Sequence, residues 1–228
     1  MKPYIITHMI TSVDGRIDCP MVAQLGGDEY YVALDRLGKT SKLSGRVTSV
    51  LENPAVKGER TIDNNGEAPI GREAFNVAVK ADEYSITVDT HGRILWQANE
   101  EHAHPILSIV TEDVAESYLD TLTAQGISWI AAGCGRINLH RAVEILAEQF
   151  GVERLAIVGG GHICGGFAEA GLVDEVSMMI GPGIDGRAGQ TAMFDGIRKT
   201  DCTPYKLKLE SVEQWPADIL WLRYTVKK

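Results

Sequence analysis

The sequence predicts an α/β protein with a largely parallel central sheet flanked by helices, and three observations carry that reading. Short apolar runs of strand length alternate with helical patterns through residues 84–181. Those runs are near-continuously apolar, as strands covered on both faces are. Two glycine-rich turns each close a strand and precede a helix.

The strand runs are YIITHMI (Tyr4–Ile10), YSITVD (Tyr84–Asp89), HPILSIV (His104–Val110), ISWIAAG (Ile127–Gly133), RLAIVG (Arg154–Gly159) and EVSMMIG (Glu175–Gly181). Between them, DVAESYLDTLTAQG predicts a helix that starts at an acidic cap, Asp113, and stops at Gly126. NLHRAVEILAEQFG puts Leu139, Ala142, Val143, Leu146 and Phe150 on one helical face, with Arg141, Glu144 and Glu148 toward the other. The tail changes rhythm: YKLKLESV and ILWLRYTV alternate polar and apolar residues around EQWPAD, which predicts an antiparallel C-terminal hairpin at the sheet edge. Residues 52–73 are polar, rich in turn formers and aperiodic, so they read as a surface loop.

With 228 residues the chain is expected to form a single domain over 1–228. The formal net charge of −9 gives no broad attraction to nucleic acid or an anionic membrane. The opening apolar run is broken by Thr and His, unlike a signal peptide, and no run reaches the ~18 residues of a membrane span. Cys19, Cys134, Cys164 and Cys202 form no C-x-x-C pair, so they read as reduced thiols in a cytoplasmic protein. His102 and His104 make an H-x-H pair without a third ligand at convincing spacing, and no metal is expected.

AIVGGGHICGG, Ala156–Gly166, packs glycines directly after a strand and before a helix beginning near His162. Such a turn can bring backbone N–H groups and a helix start up to a phosphate. It is not a dinucleotide G-x-G-x-x-G, because Cys164 stands at the last glycine, and it lacks the Lys and Ser/Thr of a P-loop. Either the glycines cradle a phosphate or they permit tight strand–helix packing. A second turn, GCGR at Gly133–Arg136, also closes a strand, and ligands of open α/β sheets sit beyond the carboxyl ends of strands. Two such turns favour a ligand cleft.

VGGGHICGGFAEAGLVDEVSMMIGPGIDG resembles the C-terminal signature of the riboflavin-biosynthesis reductase family, whose fold is dihydrofolate reductase-like. HMITSVDGRI is similar to that family's opening strand and Ser-x-Asp-Gly turn, and SGRVTSVLENPAV to its Gly-x-x-Thr turn with a downstream Asn-Pro. The motifs follow in the family's order over most of the chain. The resemblance implies an NADPH-dependent reductase of a phosphoribosylamino-pyrimidine that pairs as a homodimer through sheet edges. It also implies pyrophosphate near Gly159, Gly160 and Gly161, further cofactor contacts at Gly45, Arg46 and Thr48, and substrate near Ser12–Gly15. Alignment through EAGLVDE places Val158 where the family usually carries the Glu of Glu-Gly-Gly.

Asp14 has two readings: a turn-forming Asx residue, or a catalytic carboxylate that orients or protonates substrate if burial raises its pKa. Ser12 and Arg16 are candidates on the same loop. Thr48 reads as a helix N-cap, a phosphate contact, or both. Arg93, after a strand, is either a solvated loop residue or the partner of the 2′-phosphate that distinguishes NADPH from NADH. His162 either lines the cleft or is solvated at a helix start. The function reads as hydride transfer to a small polar substrate, the alternatives being a pterin or another carbonyl or imine substrate, or a binding module without turnover; steady NADPH oxidation separates these.

Overall fold

The computed structural model describes residues 1–62, 67–98, 104–198, 200–201 and 203–227. In chain order the elements are β1 (Tyr4–Thr11), α1 (Cys19–Val22), α2 (Glu29–Arg36), β2 (Ser41–Gly45), α3 (Arg46–Glu52) and β3 (Val56–Glu59). They continue with β4 (Ala74–Asn76), β5 (Ser85–Val88), β6 (Ile94–Trp96), β7 (Ile106–Val110), α4 (Glu116–Ala124) and β8 (Ser128–Ala131). The remainder are α5 (Leu139–Phe150), β9 (Arg154–Gly159), α6 (Gly161–Glu169), β10 (Glu175–Ile180), β11 (Leu207–Gln214) and β12 (Leu220–Val226). The fold is α/β with mostly parallel pairing, as the sequence predicts. The chain divides into two compact units.

The first unit comprises Met1–Pro3 and Ser41–Glu153. Its strands run β2-β5-β7-β8-β4, parallel as far as β8, with β4 antiparallel on β8. β7 and β8 are buried along their whole length, which is why their sequences are apolar without alternation. α5 forms where its apolar stripe predicts: the Asn138 side chain accepts the Arg141 N–H at its start, and the Val152 N–H bonds Leu146 O past its end. α4 starts at Glu116 and not at Asp113, because the Asp113 carboxylate accepts the Gly135 N–H and so serves the turn after β8.

Residues 52–73 are not one loop. β3 lies within them and pairs with β6, a strand too polar (VKGE) to show an apolar pattern. Ile70, buried at 7% exposure, sits where the Ile70 N–H bonds Val114 O and the Gly71 N–H bonds Glu112 O. β2 reads poorly in sequence for a related reason. Its Ser44 belongs to a hydroxyl chain with Ser49 of α3 and Thr87 of β5, each link 2.8 Å, that satisfies polar groups under α3.

The second unit comprises Tyr4–Thr40 and Arg154–Lys228, with strand order β11-β12-β10-β1-β9. β1 is parallel to both β9 and β10, and β12 and β11 add the antiparallel hairpin the tail predicts. The Asp-Glu of the Gly-Leu-Val-Asp-Glu signature is structural here. Asp174 accepts the Ile5 N–H at 2.9 Å, and Glu175 pairs with Arg223 at 2.6 Å and accepts Tyr4 Oη–H. Burial, with Glu175 beside it, pushes the Tyr4 phenol up to about 12.

On one face of this sheet, Ile6, Ile10, Ala156, Met179 and Trp221 form a core with Ala33 and Leu34 of α2. A polar chain crosses it. Tyr30 O only accepts, so His8 Nε2 carries the hydrogen; Nδ1 then accepts from Ser177 Oγ at 2.8 Å, and Ser177 Oγ accepts from Trp221 Nε1 at 2.8 Å. Burial holds the His8 imidazole neutral, its pKa lowered to about 4. The unfolded chain takes up a proton near 6.5, so stability is full above that pH and declines as pH falls through 6.5 toward about 4. That shift corresponds to roughly 3 kcal/mol at most. The urea midpoint should therefore drop between neutral and acid pH, and a folded His8→Gln variant should flatten that part of the dependence.

Candidate functional site

Parallel pairing turns the carboxyl ends of neighbouring strands the same way within each unit, and loops at those ends carry ligand chemistry in open α/β sheets. In the first unit these ends are Gly45, Asp89–Arg93, Thr111–Asp113 and Gly133–Arg136. In the second they are Ser12–Arg16, Gly160–His162 and Gly181–Gly189.

The second glycine turn, Gly133–Arg136, is not free for a ligand. Its Gly133 N–H donates to Glu112 Oε1 at 2.7 Å and its Gly135 N–H to Asp113 Oδ2, so two carboxylates of the chain fill the concavity. Both glycines have positive φ, the backbone that turns successive N–H groups to one side. Glu112 also raises the pKa of the exposed Cys134 thiol.

At the other corner of this unit, Gly45 is the N-cap of α3, with no side-chain cap bond. Thr48 is therefore not the cap but lies in the first turn. Arg46 pairs with Glu59; Glu59 faces Ile94 across the β3–β6 ribbon, and the Arg60 N–H bonds Arg93 O. The ribbon thus brings Arg46 and Arg93 to one corner together with Arg60, which sequence reasoning missed. The Arg60 guanidinium donates to Gly92 O and stacks on the Tyr118 ring at 4.4 Å. Arg93 is exposed, and its guanidinium has no hydrogen bond or ion pair among the described residues.

In the second unit, α6 begins at Gly161 behind the N-cap Gly160, with no side-chain cap bond and no acidic residue in its first turn. Its backbone donors therefore face no carboxylate of their own helix, unlike those of the Gly133 turn. Two of its glycines are required by packing. A Cβ on Gly161 would stand 2.1 Å from Ala192 O, and one on Gly165 1.9 Å from Asp195 O, because residues 191–195 cross directly over the helix. His162 lies against Gly196, whose Cβ would meet its ring at 2.6 Å. Val158 is half-buried against the core of the second unit.

Ser12 and Asp14 are brought together. Ser12 Oγ donates to Asp14 Oδ1 at 2.7 Å and accepts the Arg16 N–H at 3.1 Å; Ser12 is buried. Asp14 also accepts the Asp185 and Gly186 N–H groups, each at 3.0 Å. The Ser12 hydroxyl first, then those two N–H groups, hold its pKa far below the usual carboxylate range. The condition for Asp14 to protonate a substrate, a raised pKa, is therefore not met.

His104 is described, and His102 lies outside the described residues; among the described residues no group of three or more His, Cys, Asp or Glu could hold a metal ion. Among them too, no helix is long and apolar enough to cross a membrane.

A mostly parallel sheet flanked by helices, with an antiparallel C-terminal hairpin, agrees with the dihydrofolate reductase-like α/β fold that the sequence motifs imply. The chain belongs to the RibD C-terminal domain family, which it matches over residues 3–221. It is 27% identical over 231 residues, covering 100% of both chains, to the 2,5-diamino-6-ribosylamino-4(3H)-pyrimidinone 5′-phosphate reductase of Methanothermobacter thermautotrophicus. In fold it is similar to a pyrimidine reductase-like protein of Corynebacterium diphtheriae, with TM-score 0.73 and 18% identity over 99% of this chain and 92% of that one. It is likewise similar to a riboflavin biosynthesis reductase of Saccharomyces cerevisiae, with TM-score 0.64 and 15% identity over 99% and 90%. The family read from the glycine and Ser-x-Asp-Gly motifs is the family matched.

The crossing over α6 makes a direct prediction. Gly165→Ala should lower the stability of the protein by about 2 kcal/mol or more, because backbone and not a flexible side chain must move. Calorimetric melting checks it.

Proposed function

We propose that the protein is a reductase of riboflavin biosynthesis that uses NADPH to reduce a ribosylamino-pyrimidine phosphate. The observation that carries this reading is the uncapped, glycine-led start of α6 at the end of β9, in a chain of this family. Backbone donors with no carboxylate of their own helix suit a pyrophosphate. Gly159, Gly160, Gly161 and His162 would hold it by backbone, and Gly45, Arg46 and Thr48 would add contacts at the start of α3. The exposed Arg93, whose guanidinium has no hydrogen bond or ion pair among the described residues, suits the 2′-phosphate that NADH lacks. When bound, the reduced nicotinamide supplies the hydride, and this chain supplies orientation and electrostatics.

The Methanothermobacter thermautotrophicus relative is named for the diamino-pyrimidinone phosphate, and a similar structure from Thermotoga maritima for a phosphoribosylamino-uracil. The substrate proposed here belongs to this class. Val158 supplies apolar surface where the family usually has a carboxylate. A polar group of the substrate left without a partner costs about 1–3 kcal/mol, so reduction should proceed with efficiency lower by one to two orders of magnitude than with that carboxylate.

A second copy of the chain is the proposed partner. On the β10–β12–β11 face, Met178 stands opposite Leu222, and Leu209 opposite Tyr224. The register then shifts past Glu210, so Val212 faces Leu222 on the same side as Leu209. The bulge keeps one apolar face continuous, yet Leu209 and Val212 are 51% and 54% exposed. A groove of about 570 Å³, lined by Val173, Val176, Phe194, Leu207 and Val226, opens on that face. An apolar sheet face of this kind marks an interaction surface, and a two-fold pairing of identical faces closes it. The cytoplasmic placement rests on the free thiols of Cys134 and Cys164.

Purified protein supplied with NADPH and the ribosylamino-pyrimidine phosphate should consume reduced nicotinamide, read by its absorbance; an inert pyrimidine with a reactive pterin would move the assignment to another substrate. NADPH should bind at least about tenfold, 1.4 kcal/mol, more tightly than NADH. Arg93→Ala should narrow that gap, and Gly160→Val should weaken both cofactors in fluorescence titrations. Sedimentation should give a dimer, which Leu209→Glu with Val212→Lys converts to a folded monomer.

A further inference from the structure

We infer that Asp14 is a positioning residue: its carboxylate fixes the 181–187 loop against the end of β1 and so sets the surface that meets substrate, without exchanging a proton with it. The inference rests on the proposed function, in that the strand ends of the second unit are taken to face the pyrimidine.

Three donors occupy the Asp14 carboxylate: the Ser12 hydroxyl and the N–H groups of Asp185 and Gly186. Ser12 is itself spent, because its oxygen accepts the Arg16 N–H. The Arg16 side chain stands 3.9 Å from Asp14 and donates to Gln190 O. The Asp185 carboxylate turns away to Arg187, which also reaches Asp18 at 2.8 Å. With these groups engaged, the loop around Asp14 leaves little polar chemistry free for a substrate.

The same bonds set the loop in place. Val13 N–H donates to Gly183 O at 2.7 Å, and Gly181 N–H to Thr11 O at 2.8 Å. Leu25 braces the far side so closely that a Cβ on Gly181 or Gly183 would meet it at 2.6 or 2.4 Å. What this clamp leaves outward is apolar: Val13 is 62% exposed and Ile184 is 79% exposed, on loops joined by the Val13–Gly183 bond. Exposed β-branched side chains on ordered loops at strand ends suit the flat face of a heterocycle, whereas a proton donor needs a group free to ionise at working pH. Asp14 is held ionised throughout that range.

The test compares Asp14→Asn and Asp14→Ala with wild type by amide hydrogen exchange at Asp185 and Gly186, trypsin cleavage after Arg187, and the pH profile of kcat/KM. Exchange of the two amides should accelerate by about tenfold or more in Asp14→Ala and less in Asp14→Asn, whose side-chain oxygen still accepts one N–H. Arg187 should become a trypsin site. KM for the pyrimidine should rise more than kcat falls, with NADPH affinity retained and the shape of the pH profile unchanged from about pH 5 to 9. Folded variants that keep both amides protected, while losing turnover or a limb of the profile, would show that Asp14 acts on substrate directly and overturn the inference. If wild type does not reduce the pyrimidine, the proposed function fails, and exchange and proteolysis still decide whether the clamp exists.

Discussion

The close passage of residues 191–195 over α6 constrains most of the second unit's strand-end surface. Ala192 O and Asp195 O occupy the space that side chains on Gly161 and Gly165 would need. The crossing segment is bonded on both sides: Asp195 N–H to Gly161 O at the helix, Ile17 N–H to Thr191 O and Met193 N–H to Gly15 O at the loop after β1. It therefore ties the start of α6 to the Ser12–Arg16 loop, and a displacement of one is passed to the other. Close-packed interiors have no slack to absorb it.

A second regularity is the use of acidic side chains as acceptors for backbone N–H groups at turns. Glu112 and Asp113 fill the Gly133 turn, Asp14 holds the 181–187 loop, and Asp174 meets the Ile5 N–H. Asn138 does the same for α5. α1, α2 and α4 also lack a side-chain cap, but the starts of α3 and α6 are the ones led by glycine, with no acidic residue in the first turn. Helix starts without an internal acceptor keep their dipole and donors for something else.

The charge pattern agrees with that division. A net charge of −9 opposes an anionic ligand at long range, but screening limits such fields to about 10 Å in ordinary salt. Local arrangement then decides. Arg46, Arg60 and Arg93 gather at one corner of the first unit through the β3–β6 ribbon, and among them only Arg93 is without a partner among the described residues.

The sequence by itself determined the α/β class, the parallel centre, α5 and the C-terminal hairpin, because apolar periodicity and alternation are local consequences of which face is buried. It also determined the family, since the glycine turn and the Ser-x-Asp-Gly loop survive as ordered local motifs. It could not show β2 or β3, whose polar residues are paired through hydroxyls and a ribbon partner distant in sequence. Nor could it say what the motifs do. Gly161 and Gly165 are bare because a segment some thirty residues later crosses them, and Asp14 is spoken for because the Asp185 and Gly186 amides reach it from 171 and 172 residues away. Which donors are already satisfied is a property of approach between remote segments, and only the tertiary structure decides it.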